Sequence, residues 1–317
     1  MTANELMEAL IGAGWISGQQ LAQDFGVSRT AIWKHICTLR EMGCDIERSK
    51  AKGYMLKGGI AATGAITRRL LNAEEIGKEI IFLPEVDSTN LETKRRSELE
   101  HGAVIMAGEQ TCGRGRLGRG WVSEPGTGVY MTLFLKPKLP PHDIPALAIP
   151  ASLSVVRAMH AFGIEAGIKW PNDIIYKGKK LCGILLEMST DMSEVEYALI
   201  GIGINVKKSK DRPDTAISME EAGYAAIDVP QAAAAVINSF EPLYKQFAAG
   251  NTQDMMEEYA ACSLTLQKTV VIKTPKGQYE AKAVGITKDG ALEVLREGRR
   301  ETVVAGEVSV RGLMGYV

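Results

Sequence analysis

The stretch that most restricts the fold is Gly18–Leu56, "GQQLAQDFGVSRTAIWKHICTLREMGCDIERSKAKGYML". Its first part, "QQLAQDFG", predicts a short helix that Gly26 closes, and Ser28 can cap a second helix from Arg29 to about Met42. Ala31, Ile32, Ile36 and Leu39 recur at helical spacing on one face, toward a core. "CDIERSKAKGYML" then predicts two short strands around a basic turn.

Helix, turn, helix and strand pair together resemble a winged helix-turn-helix, whose second helix enters the DNA major groove. A helical module that binds protein, or that only packs, is the alternative, and the near balance of acidic and basic residues does not exclude it. DNA binding is favoured because the second helix carries, where phosphate and base edges are contacted, Ser28, Arg29, Thr30, Trp33 and Lys34. Because one such domain makes few base contacts, we expect a homodimer on two half-sites of an operator.

Composition narrows the class of protein. The chain has 317 residues and a formal net charge of −1, so nucleic-acid binding must come from a local patch. The N-terminus lacks a secretion signal and no apolar run reaches the length of a membrane span, which predicts a cytoplasmic protein with no membrane partner. Five scattered cysteines and four scattered histidines predict neither a disulfide framework, nor a metal site built from side chains, nor a Ser/His/Asp triad.

The predicted fold class is α+β in three domains. Residues 1–60 form the winged helix-turn-helix, and residues 61–265, where β-branched runs alternate with helical segments, form a central mixed α/β domain. Residues 266–317 hold short strands joined by glycine turns, which predicts a small β-barrel. "LPPHDIP", residues 139–145, is predicted to be a surface loop.

The segment Gly108–Trp121, "GEQTCGRGRLGRGW", carries three arginines between alternating glycines. Its G-x-G-x-x-G spacing is not a dinucleotide fingerprint, because a turn and a strand follow instead of a helix. Arginine keeps its charge and binds carboxylate or phosphate with two hydrogen bonds, so the expected ligand is an anion. We expect residues 113–121 to be mobile until that anion orders them.

Five motifs carry a family resemblance: "STN" at 88–90, "EQTCGRGRLGRGW" at 109–121, "KWPND" at 169–173, "KKLCGILLE" at 179–187 and "GIGINV" at 201–206. In this order they resemble the bacterial biotin–protein ligases. With both terminal domains the resemblance covers nearly the whole chain, and the N-terminal domain makes it similar to the bifunctional class that also represses biotin-synthesis genes. The resemblance implies a central ligase domain and a C-terminal barrel of the SH3-like type.

The resemblance also implies a reaction in two steps. Biotin and MgATP form biotinyl-5′-AMP and pyrophosphate, and a lysine of a biotin carboxyl carrier protein then attacks the mixed anhydride. ATP and Mg²⁺ are thus expected, with no tightly bound cofactor and no metal site made by the protein. Fixed cations suit this chemistry because it brings two anions together. Biotinyl-5′-AMP is expected to promote the homodimer.

Site residues follow from the motif match. Arg114, Arg116 and Lys180 are the expected catalytic residues. The expected biotin contacts are Ser88, Thr89, Asn90, Gln110, Arg114, Gly115, Arg116 and Lys180. The expected ATP and adenylate contacts are Arg119, Trp121, Lys169, Asn172, Asp173 and Asn205. Without the motif match, "STN" reads as a helix cap, "PND" as a turn and Lys180 as a solvated lysine. Gly201 and Gly203 suggest close approach of a ligand to a strand.

Two departures from the family pattern and two rival functions remain. Leu117 stands where many relatives carry a basic residue, and Cys112 and Cys182 stand where small residues are usual, which raises the question of thiol reactivity. A lipoate or octanoyl ligase is the nearest rival, although its arginine-glycine pattern differs. A regulator that senses a small acid without catalysis is the other, and Lys180 with the complete "GRGRLGR" argues against it.

Overall fold

The N-terminal region forms the predicted winged helix-turn-helix. A computed structural model describes residues 1–191, 194–274, 277–305 and 309–312. The helices and strands of this region are α1 (Ala3–Leu10), α2 (Gly18–Asp24), α3 (Arg29–Glu41), β1 (Cys44–Ser49) and β2 (Gly53–Gly59). Ser17 and Ser28 cap α2 and α3 with their hydroxyls, and Gly26 takes a left-handed φ of 63° between them. Ile32, Ile36 and Leu39 are buried as predicted.

The central region is built on a seven-stranded sheet with strand order β3-β4-β5-β9-β8-β7-β6. Its strands are β3 (Ile80–Val86), β4 (Val104–Gln110), β5 (Gly128–Leu135), β6 (Gly167–Lys169), β7 (Asp173–Tyr176), β8 (Lys179–Asp191) and β9 (Glu194–Asn205). Only the β3–β4 pair is parallel within this described sheet. Every residue of β5 is buried, as expected for a central strand.

Five helices accompany this sheet: α4 (Thr63–Arg69), α5 (Thr89–Arg95), α6 (Ala148–Ala161), α7 (Val229–Ala248) and α8 (Gln253–Cys262). Helices α6 and α7 pack in one large apolar core with the sheet. Glu241 on α7 ties the preceding chain to this layer, because its carboxylate accepts the backbone N–H of Glu75 and of Ile76, each at 2.8 Å. The segment Pro141–Ala161 has the length and composition of a membrane span, but 72% of its most apolar window is buried inside the protein.

Local predictions in the central region have mixed outcomes. The proline-rich segment is not a surface loop, because Pro141–Leu147 forms a 3-10 helix and buries Ile144 and Leu147. The turn predicted at "PND" is present, because the chain folds back there as the β6–β7 hairpin, with a cis peptide bond before Pro171. Strand β3 was not predicted.

The C-terminal region is a five-stranded antiparallel sheet with strand order β13-β12-β11-β10-β14. Its strands are β10 (Thr269–Thr274), β11 (Gly277–Ile286), β12 (Leu292–Arg296), β13 (Arg299–Val303) and β14 (Ser309–Gly312). The predicted turns at Gly290 and Gly298 have left-handed φ angles of 83° and 78°. The predicted Pro-Lys-Gly turn falls on residues 275 and 276, outside the described residues.

The side chain of Trp170 belongs to the core of this C-terminal sheet, although the residue lies between β6 and β7. It is 2% exposed, packs with Ile272 and Leu292, and donates its indole N–H to the carbonyl oxygen of Gly290 at 3.0 Å. A side chain from the central region therefore completes the core of the C-terminal sheet.

The junction after the winged helix is also packed. Ala61 and Ala62 are buried in the winged-helix core, whereas Ile60 faces the central region. A Cβ atom on Gly126 would lie 3.2 Å from Ile60 Cγ1, and one on Gly108 would overlap Ile60 Cγ2. The N–H of Gly126 donates to the carbonyl oxygen of Gly108 at 2.9 Å. Ile60 thus covers the point where the chain that follows the arginine-rich segment returns to its first residue, Gly108.

Candidate active site

One cavity of about 240 Å³ gathers residues from the separate motifs. Thirteen of the fourteen residues predicted to bind biotin or adenylate line it: Ser88, Thr89, Asn90, Gln110, Arg114, Gly115, Arg116, Arg119, Trp121, Lys169, Asn172, Asp173 and Lys180. The remaining residue, Asn205, lines an adjacent cavity of about 120 Å³. The fold therefore brings together residues that are up to 117 positions apart in the chain (205 − 88).

Hydroxyl and amide groups form one wall of the cavity. Ser88 precedes α5, but within the described part of the chain its hydroxyl makes no capping hydrogen bond to that helix. Helix capping therefore does not explain the serine of "STN". The backbone N–H of Thr89 donates to Gln110 Oε1 at 2.9 Å, and Gln110 Nε2 donates to Ser123 Oγ at 2.8 Å. Ser88, Thr89 and Asn90 are each less than 5% exposed. This wall is preorganised to hydrogen-bond a small polar ligand.

Asn90 is held from both sides of its amide. Its Oδ1 lies 2.6 Å from Thr132 Oγ1, and its Nδ2 donates to Glu187 Oε2 at 2.7 Å. Lys94 Nζ donates to the other carboxylate oxygen at 2.7 Å. Burial acts to raise the pKa of Glu187, but the hydrogen bonds from Lys94 and Asn90 outweigh it and leave the pKa lowered. Sequence reasoning missed Thr132, Lys94 and Glu187 as site residues, because only tertiary contacts connect them to "STN".

The arginine-rich segment forms a small hairpin. Gly115 N–H donates to the carbonyl oxygen of Arg119 at 2.7 Å, and Trp121 N–H donates to that of Gly113 at 2.9 Å. At its tip Leu117 has a φ of 56° and is 60% exposed. Leu117 is therefore largely in solvent, although part of it lines the mouth of the cavity. The mobility of residues 113–121 stays a prediction.

The three arginines differ in burial. Arg114 and Arg119 are exposed, whereas Arg116 is half-buried. Arg116 donates to Asn172 Oδ1 at 3.3 Å and to the carbonyl oxygen of Ala305. Burial lowers the pKa of Arg116, and Asp173 opposes this effect. Because the guanidinium keeps its charge in proteins, Arg116 places a fixed cation inside the cavity.

Lys180 and Asp173 form a close ion pair in the same cavity. Lys180 Nζ lies 2.6 Å from Asp173 Oδ1 and 5.2 Å from the ring centroid of Trp121. The side chains are 23% and 17% exposed, so this lysine is not the solvated turn residue that the sequence alone suggested. Lys169, in the same hairpin as Asp173, is 7% exposed. The ion pair holds the Lys180 ammonium group inside the cavity, close to the Trp121 ring.

Gly201 and Gly203 on β9 do allow a close approach, but of protein side chains. A Cβ atom on Gly203 would lie 2.5 Å from Trp121 Nε1, and one on Gly201 would overlap the Asn90 amide. The indole N–H of Trp121 is buried and has no hydrogen-bond partner among the described residues. Both glycines also line the cavity, so the approach of a ligand to them stays a prediction.

Asn205 lies on the far side of Trp121 and Lys180. It is 4% exposed and donates from Nδ2 to the carbonyl oxygen of Lys180 at 3.3 Å. The smaller cavity that it lines also contains Trp121, Lys180 and Arg212. Trp121 and Lys180 thus form the partition between the two cavities.

The two cysteines within motifs have different surroundings. Cys182 is fully buried on β8, and burial raises the pKa of its thiol, which opposes thiolate chemistry. Cys112 is exposed at the start of the arginine-rich segment. Among the described residues, no group of three His, Cys, Asp or Glu side chains is arranged to hold a metal ion.

The residues predicted to contact DNA lie at the start of α3. All five are exposed: Ser28, Arg29, Thr30, Trp33 and Lys34. The Ser28 hydroxyl accepts the N–H of Ala31 at 3.1 Å, so it also caps the helix. Trp33 is 48% exposed, which is unusual for a large apolar side chain and is expected of a contact surface. The surface is formed by one helix, with the β1–β2 hairpin following it.

Comparison with known proteins defines the class. Residues 82–205 match the biotin/lipoate A/B protein ligase family, residues 2–55 match the HTH domain, and residues 265–311 match the biotin protein ligase C terminal domain. The fold is therefore that of a biotin protein ligase with a DNA-binding domain at its N-terminus.

Individual relatives define the family more closely. The chain is 36% identical to the "Bifunctional ligase/repressor BirA" of Bacillus spizizenii over 294 residues, 89% of each chain, and 36% identical to that of Bacillus subtilis over 303 residues, 91% of this chain and 92% of the relative. The biotin protein ligase from Aquifex aeolicus, solved in complex with biotin and ATP, superposes with a TM-score of 0.64 at 29% identity, covering 74% of this chain and 99% of that one. The chain belongs to the bifunctional ligase/repressor family.

Proposed function

We propose that this protein converts biotin and ATP into biotinyl-5′-AMP and transfers the biotinyl group to a lysine of a biotin carboxyl carrier protein. The observation that carries the proposal is the single cavity whose hydroxyl and amide wall leads directly to Arg116 and Lys180. A neutral polar ring and a carboxylate on one ligand would meet complementary groups at its two ends.

Biotin fits the end of this cavity that is formed by the hydroxyl and amide wall, here called the first arm. Its ureido group has two N–H donors and one carbonyl acceptor, which suit the hydroxyls of Ser88 and Thr89 and the amides of Asn90 and Gln110. The apolar part of the ligand would contact Met131, Ile184, Leu185 and Ile202, which line the same cavity. Gly115 and Arg116 border the arm from the arginine-rich segment.

The other end of the cavity, lined by Arg114, Arg116 and Lys180, suits activation of the biotin carboxylate. In the first step a carboxylate oxygen forms a bond to the α-phosphorus, and pyrophosphate leaves with the electrons of the broken P–O bond. Arg114, Arg116 and Lys180 would offset the negative charge that builds on the phosphoryl oxygens. In the second step the neutral amine of the carrier lysine attacks the carbonyl carbon of biotinyl-5′-AMP, AMP leaves, and the amine proton passes to solvent.

The ATP contacts are proposed to span both cavities. Arg119, Lys169, Asn172 and Asp173 border the larger one and Asn205 the smaller, with Trp121 between them. The site offers one carboxylate, Asp173, beside amide groups, a donor set that fits Mg²⁺ arriving with the phosphates of ATP rather than a metal caged by protein. When bound, Mg²⁺ would offset phosphate charge.

Repression is proposed to depend on dimerisation. The exposed start of α3 would contact operator DNA, and two copies at half-site spacing would supply the specificity that one winged helix lacks. Biotinyl-5′-AMP is proposed to promote the homodimer by ordering the arginine-rich segment. The cytoplasm is the proposed location, and the five free cysteines suit a reducing compartment.

Calorimetric titration with biotin and with lipoate, followed by pyrophosphate release assays with MgATP, tests the proposal. We expect binding of biotin, no binding of lipoate at the same concentrations, and pyrophosphate release that depends on biotin. Adding a carrier domain should then release AMP and label its lysine. Preference for lipoate would favour the related acyl ligases, and biotin binding without pyrophosphate release would favour a sensor without catalysis.

A further inference from the structure

Lys94 and Glu187 do not line the cavity, yet they hold its polar wall. Glu187 on β8 receives the Asn90 amide on one oxygen and the Lys94 ammonium group on the other, each at 2.7 Å. The Glu187 side chain is 23% exposed and the Lys94 side chain 34%. Glu187 acts on the cavity through its hydrogen bond to Asn90 and, at longer range, through the attraction between its carboxylate and Arg114.

A carboxylate can only accept hydrogen bonds, so it fixes which way the Asn90 amide faces. With Nδ2 turned to Glu187, Oδ1 is turned to Thr132, whose hydroxyl lies 2.6 Å away. Thr132 Oγ1 is also 2.8 Å from Thr89 Oγ1. Because Thr132 has one proton and the amide oxygen has none, Thr132 donates to Asn90, and the hydroxyl of Thr89 must be the donor between the two threonines.

The direction of this chain of bonds decides what Thr89 offers to a ligand. Its single proton points to Thr132 Oγ1 at 2.8 Å, whereas Gln110 Oε1 lies farther away at 3.2 Å. Thr89 Oγ1 therefore has only lone pairs left for the cavity, which it lines. A reversed Asn90 amide would make Thr132 donate to Thr89, which would occupy one of those lone pairs. The Thr89 proton would then be released from Thr132 and could turn to the longer contact with Gln110 or into the cavity, where it would oppose an N–H donor of a ligand.

We propose that Glu187, anchored by Lys94, is a positioning residue that keeps Thr89 Oγ1 an acceptor for an N–H donor of the ligand. The inference rests on the proposed function, since the donor it would serve is one of the two ureido N–H groups of biotin. The lowered pKa of Glu187 keeps it charged near neutral pH, so the amide has no alternative orientation.

Glu187→Gln tests this direction without changing the size of the side chain. The one carbonyl oxygen of the new amide is drawn to the Lys94 ammonium group, and its NH₂ group then faces Asn90 and reverses the bonds. The probes are biotin and its two cyclic carbamate isomers, each with oxygen in place of one ureido N–H. Wild-type protein should prefer biotin over one isomer by roughly tenfold, the value of one hydrogen bond, and Glu187→Gln should lose most of that preference.

Two further variants separate positioning from general damage. Glu187→Leu removes the acceptor altogether and should also lose the preference. Glu92→Gln is the matched control, because Glu92 pairs with Arg95 and Arg96 on the same helix and does not contact Asn90. It should retain the wild-type preference. In Glu187→Gln, KM for biotin should rise while kcat for pyrophosphate release at saturating biotin stays near wild type, a split that a misfolded site would not give.

The outcomes are distinct. If wild-type protein prefers biotin over a carbamate and folded Glu187→Gln does so equally, the positioning role is wrong and the proposed function stands. The role is equally wrong if wild-type protein binds biotin but does not distinguish it from either carbamate. Absence of biotin-dependent pyrophosphate release by wild-type protein would instead remove the proposed function. Should Glu187→Leu fail to fold, the isosteric Glu187→Gln alone decides.

Discussion

Trp170→Ala should loosen the C-terminal sheet selectively. The substitution removes a 2% exposed indole from the core of that sheet, together with its hydrogen bond to Gly290. Loss of a buried tryptophan costs roughly 3–5 kcal/mol, and loss of the hydrogen bond about 1 kcal/mol more. The total of about 5 kcal/mol equals the entire stability of many small domains. We therefore expect the C-terminal strands to open without unfolding of the winged helix.

Hydrogen exchange measures the loss of stability separately in each domain, which a single melting temperature does not. Amides of β10 and β12 should lose about 4–5 kcal/mol of protection in Trp170→Ala, while those of α1–α3 keep theirs. Trp170→Phe should lose only about 1–2 kcal/mol, because most of the packing stays. Trp33→Ala, a surface tryptophan at 48% exposure, is the matched control and should change stability by about 0.5 kcal/mol or less. Equal protection of β10 and β12 in wild type and Trp170→Ala would show that Trp170 does not stabilise the core of the C-terminal sheet.

The remaining predictions concern chemistry, pH and regulation. Arg116→Ala should raise the barrier to adenylate formation by about 3 kcal/mol and speed loss of biotinyl-5′-AMP, measured by single-turnover kinetics; unchanged rates would remove the cation from the mechanism. Lys180→Ala should slow adenylate formation, and wild-type rates in that variant would reject its catalytic role. Burial acts to raise the pKa of Glu241, but backbone N–H groups and Lys245 lower it to about 2 from 4.5. Because this folded-state pKa is depressed, the stability from Glu241 is present above about pH 4.5 and is lost as the pH falls toward 2, so Glu241→Gln should flatten the acid limb of the unfolding curve; an unchanged limb would contradict it. Operator affinity and self-association should both rise with biotinyl-5′-AMP, and equal sedimentation and equal operator titrations with and without it would show that the winged helix is not a biotin-responsive switch.

Local signals in the sequence predicted much of the fold. Gly26 marks the end of α2 and Ser28 the start of α3. Both boundaries could be predicted because helix capping and left-handed turns depend on neighbouring residues. The buried strands β5 and β9 could be predicted equally well, because runs of β-branched residues lie between turn signals there. Strand β3 was missed because its residues are only partly buried at the sheet edge, so neither alternation nor a continuous apolar run is clear.

Within the site, residue types were predictable and their pairing was not. Thirteen of the fourteen residues predicted from the motif match line one cavity, yet nothing in "KKLCGILLE" indicates that Glu187 on β8 reaches Asn90 on α5. The place of Trp170 in a different region's core was hidden for the same reason. Such contacts depend on strand register and on how layers pack, which single-sequence periodicity does not contain.

The packed junction at Ile60 bears on how such proteins can exchange parts. A recombination breakpoint at residue 60 looks natural, because the winged helix ends there in sequence. Such a graft would, however, bring a foreign side chain against Gly108 and Gly126, which Ile60 now contacts next to the arginine-rich segment. It would also leave Ala61 and Ala62 without the core that buries them. Helix α4 offers no cleaner boundary, because Ala65 and Ile66 pack on the winged-helix core while Gly64 lies against Phe82 of β3. The two regions are therefore joined through both Ile60 and α4, and a hybrid cut at residue 60 would carry a foreign side chain into the junction next to the catalytic domain.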